Sequence, residues 1–346
     1  MTFAKKALIL GSAASLVAAS GAALAQATIN GAGATFPAPF YQRAFAGAVS
    51  QGIRVNYQSV GSGAGVRQFV AGSVDFGATD EPIKSAEAAK VSRGVVQFPS
   101  VGGTIAVAFN KADCRRLQLT QKQVADIFLG NIKTWEQLKC GKGPIAVAHR
   151  SDGSGTTFAF TNSLSAFSPE WKSKVGEGKS VKWPVGVGGK GNEGVAGIIQ
   201  NTPGSIGYLN QAFVKGKIKA AALQNKAGKF VMPNLKGGAA ALQNRAGKFV
   251  MPTLKGGAAA LNNIKLDGML AGEDPNPAGA DSYPISTLTW ILAYQKGNGA
   301  KAPSIRKAMD FLLSPAAQNQ ADDLGYVPLR GSILTQAKAA VKKISP

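Results

Sequence analysis

"VAHRSDGSGTTFAFTNSL" (residues 147–164) passes from an apolar strand end through a polar turn into a helix start. The turn carries Arg150, Asp152, Ser154, Gly155, Thr156 and Thr157, with no lysine and no cluster of metal ligands. One guanidinium beside a row of hydroxyl and main-chain donors is chemistry suited to an oxyanion. The strand–turn–helix order also sets the architecture. Apolar strands are expected at 52–60, 74–79, 94–100, 104–110, 144–150, 204–210 and 286–295, and helical spacing appears at 66–72, 120–130, 156–167 and 303–314. This alternation predicts an α/β fold with mixed sheets and helices on both faces.

Two more segments follow the same plan. "NGAGATFPAPFYQRAF" (30–45) leads through Thr35 into a helix with prolines near its first turn, and "SVGSGAGVRQFV" (59–70) does so through Ser62. A helix start offers unpaired N–H groups and the positive end of the macrodipole. In a chain with 43 glycines, one such turn is an ordinary capped helix. Three of them together with Arg150 point to a shared anion site.

The first residues predict export. Lys5 and Lys6 precede an alanine-rich apolar run, Ala7 to Ala19, and Ala23-Leu24-Ala25 supplies an A-x-A cleavage signal. The run is too short to span a bilayer. Cleavage after Ala25 is expected, with Ala27 as the alternative, and no cysteine lies there to take a lipid. The mature chain then keeps 321 of the 346 residues, enough for two domains. At 45% apolar and 16% charged residues, the composition suits folded cores. Cys114 and Cys140 are the only cysteines. In an oxidising compartment they can pair, a bridge contributing roughly 3 kcal/mol, with two buried free thiols as the alternative.

The net charge is +21, of which two lysines leave with the leader. The basic residues are scattered rather than stacked along one helix and are not interleaved with aromatics, which argues against nucleic acid. No P-loop is present, and "GKGNEG" (189–194) matches a dinucleotide glycine pattern only as noise. His149 is the sole histidine, five residues from Ser154, with neither a supporting acid pattern nor a nucleophile elbow. No cofactor and no metal site are expected.

"AAALQNKAGKFVMPNLKGG" (220–238) is followed at once by "AAALQNRAGKFVMPTLKGG" (239–257). Two copies are too few for a solenoid. The turn signal in each, "NKAGK" or "NRAGK", predicts a surface hairpin, and the block reads as a tandem duplication.

"GAGATFPAPFY", "VNYQSVGSGAGVRQF", "VDFGATD", "RSDGSGTTFAFT" and "VKWPVGVGGKGNEGVAGIIQ" closely resemble the periplasmic phosphate-binding proteins of phosphate ABC importers, the PstS family. "LGYVPL" near the C-terminus resembles the closing turn of the same superfamily. The resemblance implies a type II periplasmic-binding-protein fold, two α/β lobes joined by two crossover strands. "TIAVAFN" (104–110) and "STLTWILAYQ" (286–295) are the natural crossovers, so that residues 26–104 with 286–346 form one lobe and 105–285 the other. The implied phosphate ligands are Thr35, the backbone of Phe36, Ser62 and Asp80 from one side. Arg150, Ser154, Gly155 and Thr156 come from the other, with Asp152 orienting Arg150. His149 beside the arginine and the 220–257 duplication depart from the family pattern.

The expected function is capture of inorganic phosphate in the periplasm by a monomeric, non-catalytic receptor. A permease and an ATPase encoded elsewhere would complete the transporter. The alternatives are a secreted phosphoester hydrolase using Ser154 or a neighbouring hydroxyl, and a receptor for another tetrahedral oxyanion.

Overall fold

The computed structural model describes residues 28–232, 242–243, 249–250, 255–261 and 264–346. The expected leader and its cleavage site lie outside the described residues. Among the described residues, no helix is long and apolar enough to cross a membrane.

A mixed sheet of ten strands forms the frame. In its first half Val55–Ser59, Ile29–Gly33 and Phe76–Thr79 run parallel, and Ser286–Tyr294 pairs antiparallel with the last of them. Val95–Asn110 then links the two halves. Its residues 95–104 pair with Ser286–Tyr294, and its residues 105–110 pair with Ser205–Asn210. Ala146–Arg150 and Val187–Gly189 complete the second half in parallel. Where the pairing changes hands, the main-chain N–H of Ile105 donates to the carbonyl of Ile285 at 2.9 Å.

The sequence predicts two strands, 94–100 and 104–110, whereas the structure has one of 16 residues. Gly102 and Gly103 look like a break but serve packing. Tyr326–Val327 pairs alongside them, and a Cβ on Gly103 would sit 2.8 Å from the Phe36 ring. A bulge shifts the register between Thr289 and Trp290, opposite Ser100. Thr289, at the bulge, donates to Asp80, and bulges commonly re-aim side chains.

Helices cover the sheet at Ala38–Ala48, Ser62–Val70, Gly155–Phe167 and Gly191–Asn201. The second begins four residues earlier than the apolar spacing suggests, because its first turn is built of serine and glycine and carries no periodic signal. The large core cluster includes Phe36, Phe40, Tyr41 and Trp290 on one side and Phe128 and Tyr208 on the other. Cys114 and Cys140 form a disulfide with Cα atoms 5.0 Å apart.

Each duplicated copy contains an antiparallel strand pair in equivalent register, Leu223 opposite Val231 and Leu242 opposite Val250. The first copy also pairs in parallel with Gln118–Leu119, which docks it on the body of the protein. The second forms a two-stranded sheet with itself. The turn of the second copy, 244–248, lies outside the described residues.

Candidate functional site

The glycine-rich turns converge between the two halves of the sheet. The Ser62 Oγ accepts from the main-chain N–H of Asp80 at 3.3 Å, and the Gly63 N–H donates to the Gly153 carbonyl at 2.8 Å. Any larger residue at 155 would collide with the partner side, since a Cβ there would lie 2.6 Å from the Asp80 nitrogen. Glycine at this position lets two backbones approach across the gap.

Arg150, at the end of its strand, is 4% exposed. Its Nε and Nη2 donate to the Asp152 carboxylate at 2.8 and 2.6 Å, a bidentate pair. Burial works against ionisation of Asp152, but the Arg150 hydrogen bonds and charge, with the Gly191 N–H, hold its carboxyl below the usual range. The remaining Arg150 nitrogen, Nη1, is buried without a protein partner among the described residues. A guanidinium oriented this way has one donor face left for a ligand.

Ser154 caps the helix Gly155–Phe167, its Oγ accepting from the Thr157 N–H at 3.0 Å. The N–H groups of Gly155 and Thr156, at the first two helical positions, have no intrahelical acceptor. Phe36 places its ring in the core against Tyr326, whose hydroxyl donates to the Phe36 carbonyl at 2.6 Å. Only the backbone of Phe36 is therefore offered to the site.

Asp80 is 1% exposed. Thr289 donates to its Oδ1 at 2.8 Å and Thr156 to its Oδ2 at 3.0 Å. Burial pushes its carboxyl up to about 6, against the opposing pull of those hydrogen bonds and of Arg150. Thr35 Oγ1 accepts from the N–H of Asn192 at 3.0 Å and from its Nδ2 at 2.8 Å. Next to these contacts Lys179 pairs with Glu81 at 3.0 Å and with Glu87 at 3.6 Å, joining the two halves by charge.

All eight expected ligand positions, with Asp152, thus fall on these converging turns and helix starts. The site carries one cation against two carboxylates, so N–H dipoles and hydroxyls must supply most of its attraction for an anion. Three contributors were not singled out from the sequence. Thr289 lies 209 residues from its partner Asp80 and has no local signal. Asn192 opens a fourth helix start, and the "GKGNEG" around it is legible only as another glycine-rich turn. Tyr208, whose hydroxyl accepts from the Arg150 N–H at 3.2 Å, reads as an ordinary core aromatic. Among the described residues, no group of three or more histidine, cysteine or acidic side chains could hold a metal.

His149 is committed elsewhere. Its Nδ1 lies 3.0 Å from the Arg150 carbonyl and its ring stacks on Trp183 at 4.9 Å between centroids. With the Ser154 hydroxyl engaged as a helix cap, no serine–histidine pair is assembled among the described residues.

Two α/β halves that meet along helix starts and a buried arginine define a fold of the periplasmic-binding-protein type. A family model described as a PBP superfamily domain matches residues 18–316. The chain belongs to the PstS phosphate-binding proteins. It is 39% identical over 331 residues to the phosphate-binding protein PstS of Pasteurella multocida, covering 91% of this chain and 90% of that one. The fold is similar to that of a phosphate-binding protein from Stenotrophomonas maltophilia, with TM-score 0.68 and 19% identity over 90% of this chain and 93% of that one. It is also similar to an ABC-type phosphate transport receptor from Vibrio cholerae, with TM-score 0.55 and 19% identity over 87% and 100% of the two chains.

Proposed function

We propose that this protein captures inorganic phosphate outside the cytoplasm and delivers it to the permease and ATPase of an ABC importer, without catalysis. The observation that carries this reading is the pairing of Asp80 with donors. A buried carboxylate that accepts from Thr289 and Thr156 sits among N–H groups and the free face of Arg150. An anion that still carries a proton satisfies both kinds of group at once, donating to Asp80 and accepting elsewhere. Phosphate near neutral pH does so, and fully ionised sulfate does not.

The ligands are Thr35, the backbone of Phe36, Ser62, Asp80, Arg150, Ser154, Gly155 and Thr156. Residues 26–104 with 286–346 act as one lobe and 105–285 as the other, a division supported by the exchange of strand partners between Thr104 and Ile105. Ligands from both sides make binding favour the closed arrangement. The expected A-x-A leader and the disulfide support a periplasmic receptor. Hydrolysis is disfavoured because Ser154 is engaged as a cap and His149 is turned to other partners. Calorimetry with phosphate, arsenate and sulfate, run beside a chromogenic phosphoester assay, tests the proposal. Stoichiometric phosphate binding without turnover is expected, and turnover, or sulfate binding as tight as phosphate, overturns it.

A further inference from the structure

We propose that Asn192 is a positioning residue that fixes which way the hydroxyls of Thr35 and Thr156 point, making Thr35 a donor to the bound anion and directing the Thr156 proton onto Asp80. The inference deepens the phosphate-binding reading and rests on it.

It begins at a group whose role is not adjustable. The main-chain N–H of Asn210 can only donate, and it lies 2.7 Å from Asn192 Oδ1. The amide of Asn192 is therefore fixed with its Nδ2 towards Thr35 at 2.8 Å and Thr156 at 3.3 Å. The main-chain N–H of Asn192 also donates to Thr35 Oγ1, at 3.0 Å. A hydroxyl has two acceptor lone pairs and one proton. Both lone pairs of Thr35 are taken, so its proton is the only capacity it can offer an anion. Thr156 accepts from Asn192 and passes its proton to Asp80. Thr289 fills the other Asp80 oxygen from the far side.

The Thr156 hydrogen thus ends on Asp80, and the Thr35 hydrogen is left for the anion. Asn192 is fully buried, and Thr35, Thr156 and Asp80 are each exposed by 3% or less. Water cannot readily compensate a hydroxyl turned the wrong way in such a place. Thr35 and Asn192 also belong to opposite halves of the sheet, so the direction is set only when the halves meet.

The test measures phosphate affinity by calorimetry for Asn192→Ala in three backgrounds, wild type, Thr35→Ser and Thr35→Val. A loss of at least tenfold is expected in the first two, which keep a hydroxyl at residue 35. In Thr35→Val there is no hydroxyl to direct, and the loss should be at least threefold smaller. A ratio of losses below threefold makes Asn192 a merely structural residue and overturns the proposal. Thr35→Ala, which likewise leaves no hydroxyl at residue 35, provides a second background judged by the same ratio should Thr35→Val bind too weakly to measure. If Asn192→Ala does not melt as a folded protein, Asn192→Asp replaces it. The aspartate keeps an acceptor for Asn210 and removes the Nδ2 donor that faces residue 35. A wild-type protein that binds no phosphate would remove the functional reading and this inference together, whereas a flat ratio with normal wild-type binding removes the inference alone.

Discussion

Replacing Asp80 by asparagine separates the cost of a buried carboxylate from its use. The folded-state pKa stands at about 6 against an ordinary value of 3.8, so the native protein holds this proton more tightly than the unfolded chain does. The stability this group contributes is fully present below pH ~4 and is lost as pH rises through about 6, a change of ~3 kcal/mol. The amide introduced by Asp80→Asn does not titrate. In ligand-free protein the melting temperature of wild type should therefore fall relative to Asp80→Asn between pH 4 and pH 7, by something on the order of 5 °C. Thermal unfolding followed by circular dichroism across that range reads the difference. The same variant should narrow the phosphate-over-sulfate preference at least tenfold, about 1.4 kcal/mol, since like charges meeting in a buried site cost several. Parallel melting curves at every pH would refute the electrostatic reasoning. A folded variant that still rejects sulfate as strongly as wild type would make Asp80 a turn cap and nothing more.

Deleting residues 239–257 should leave phosphate affinity within threefold, about 0.65 kcal/mol by calorimetry. The deletion joins Lys236-Gly237-Gly238 to Ala258, which regenerates the sequence of the helix Lys255–Leu261, and it removes a sheet that, among the described residues, pairs only with itself. A hundredfold loss would show that the segment shapes the cleft. Thiol labelling of denatured, unreduced protein from the periplasm should find no free cysteine. Reduction should then lower stability by about 3–4 kcal/mol for a separation of 26 residues, and two labelled thiols per chain would end that idea. Lys179→Met should weaken phosphate binding tenfold or more, mainly through faster release in stopped-flow, because Glu81 loses its partner across the gap. Unchanged release would place that ion pair outside the closing step.

What the sequence made readable were the features written within a few residues of one another. Arg150, Asp152 and Ser154 lie within five consecutive positions, and the turns through Thr35 and Ser62 each announce a helix by glycine with a hydroxyl residue one or two positions on. Side chains that act on those residues from afar were not readable. Thr289 reaches Asp80 across 209 residues and Asn192 reaches Thr35 across 157, and neither separation leaves a local pattern. The strand break expected between 100 and 104 failed for a related reason. Two glycines in a row signal a turn unless something packs close enough to need them, and what packs there, Tyr326 and Phe36, comes from the two ends of the chain.

The strand Val95–Asn110 has a mechanical consequence. It is bonded along one stretch to Ser286–Tyr294 and along the next to Ser205–Asn210, and the two chains that cross between the halves are tied together by the Ile105–Ile285 bond. Two ribbons fastened side by side resist bending in their common plane far more than they resist being wrung. Opening should therefore resemble the turning of a torsion bar, with the halves rotating about the strand direction rather than parting like scissor blades. A side chain at Gly103 would meet the Phe36 ring at 2.8 Å, so Gly103→Ala should disturb the bar and the anion site together, weakening phosphate binding as well as changing the rate of closure.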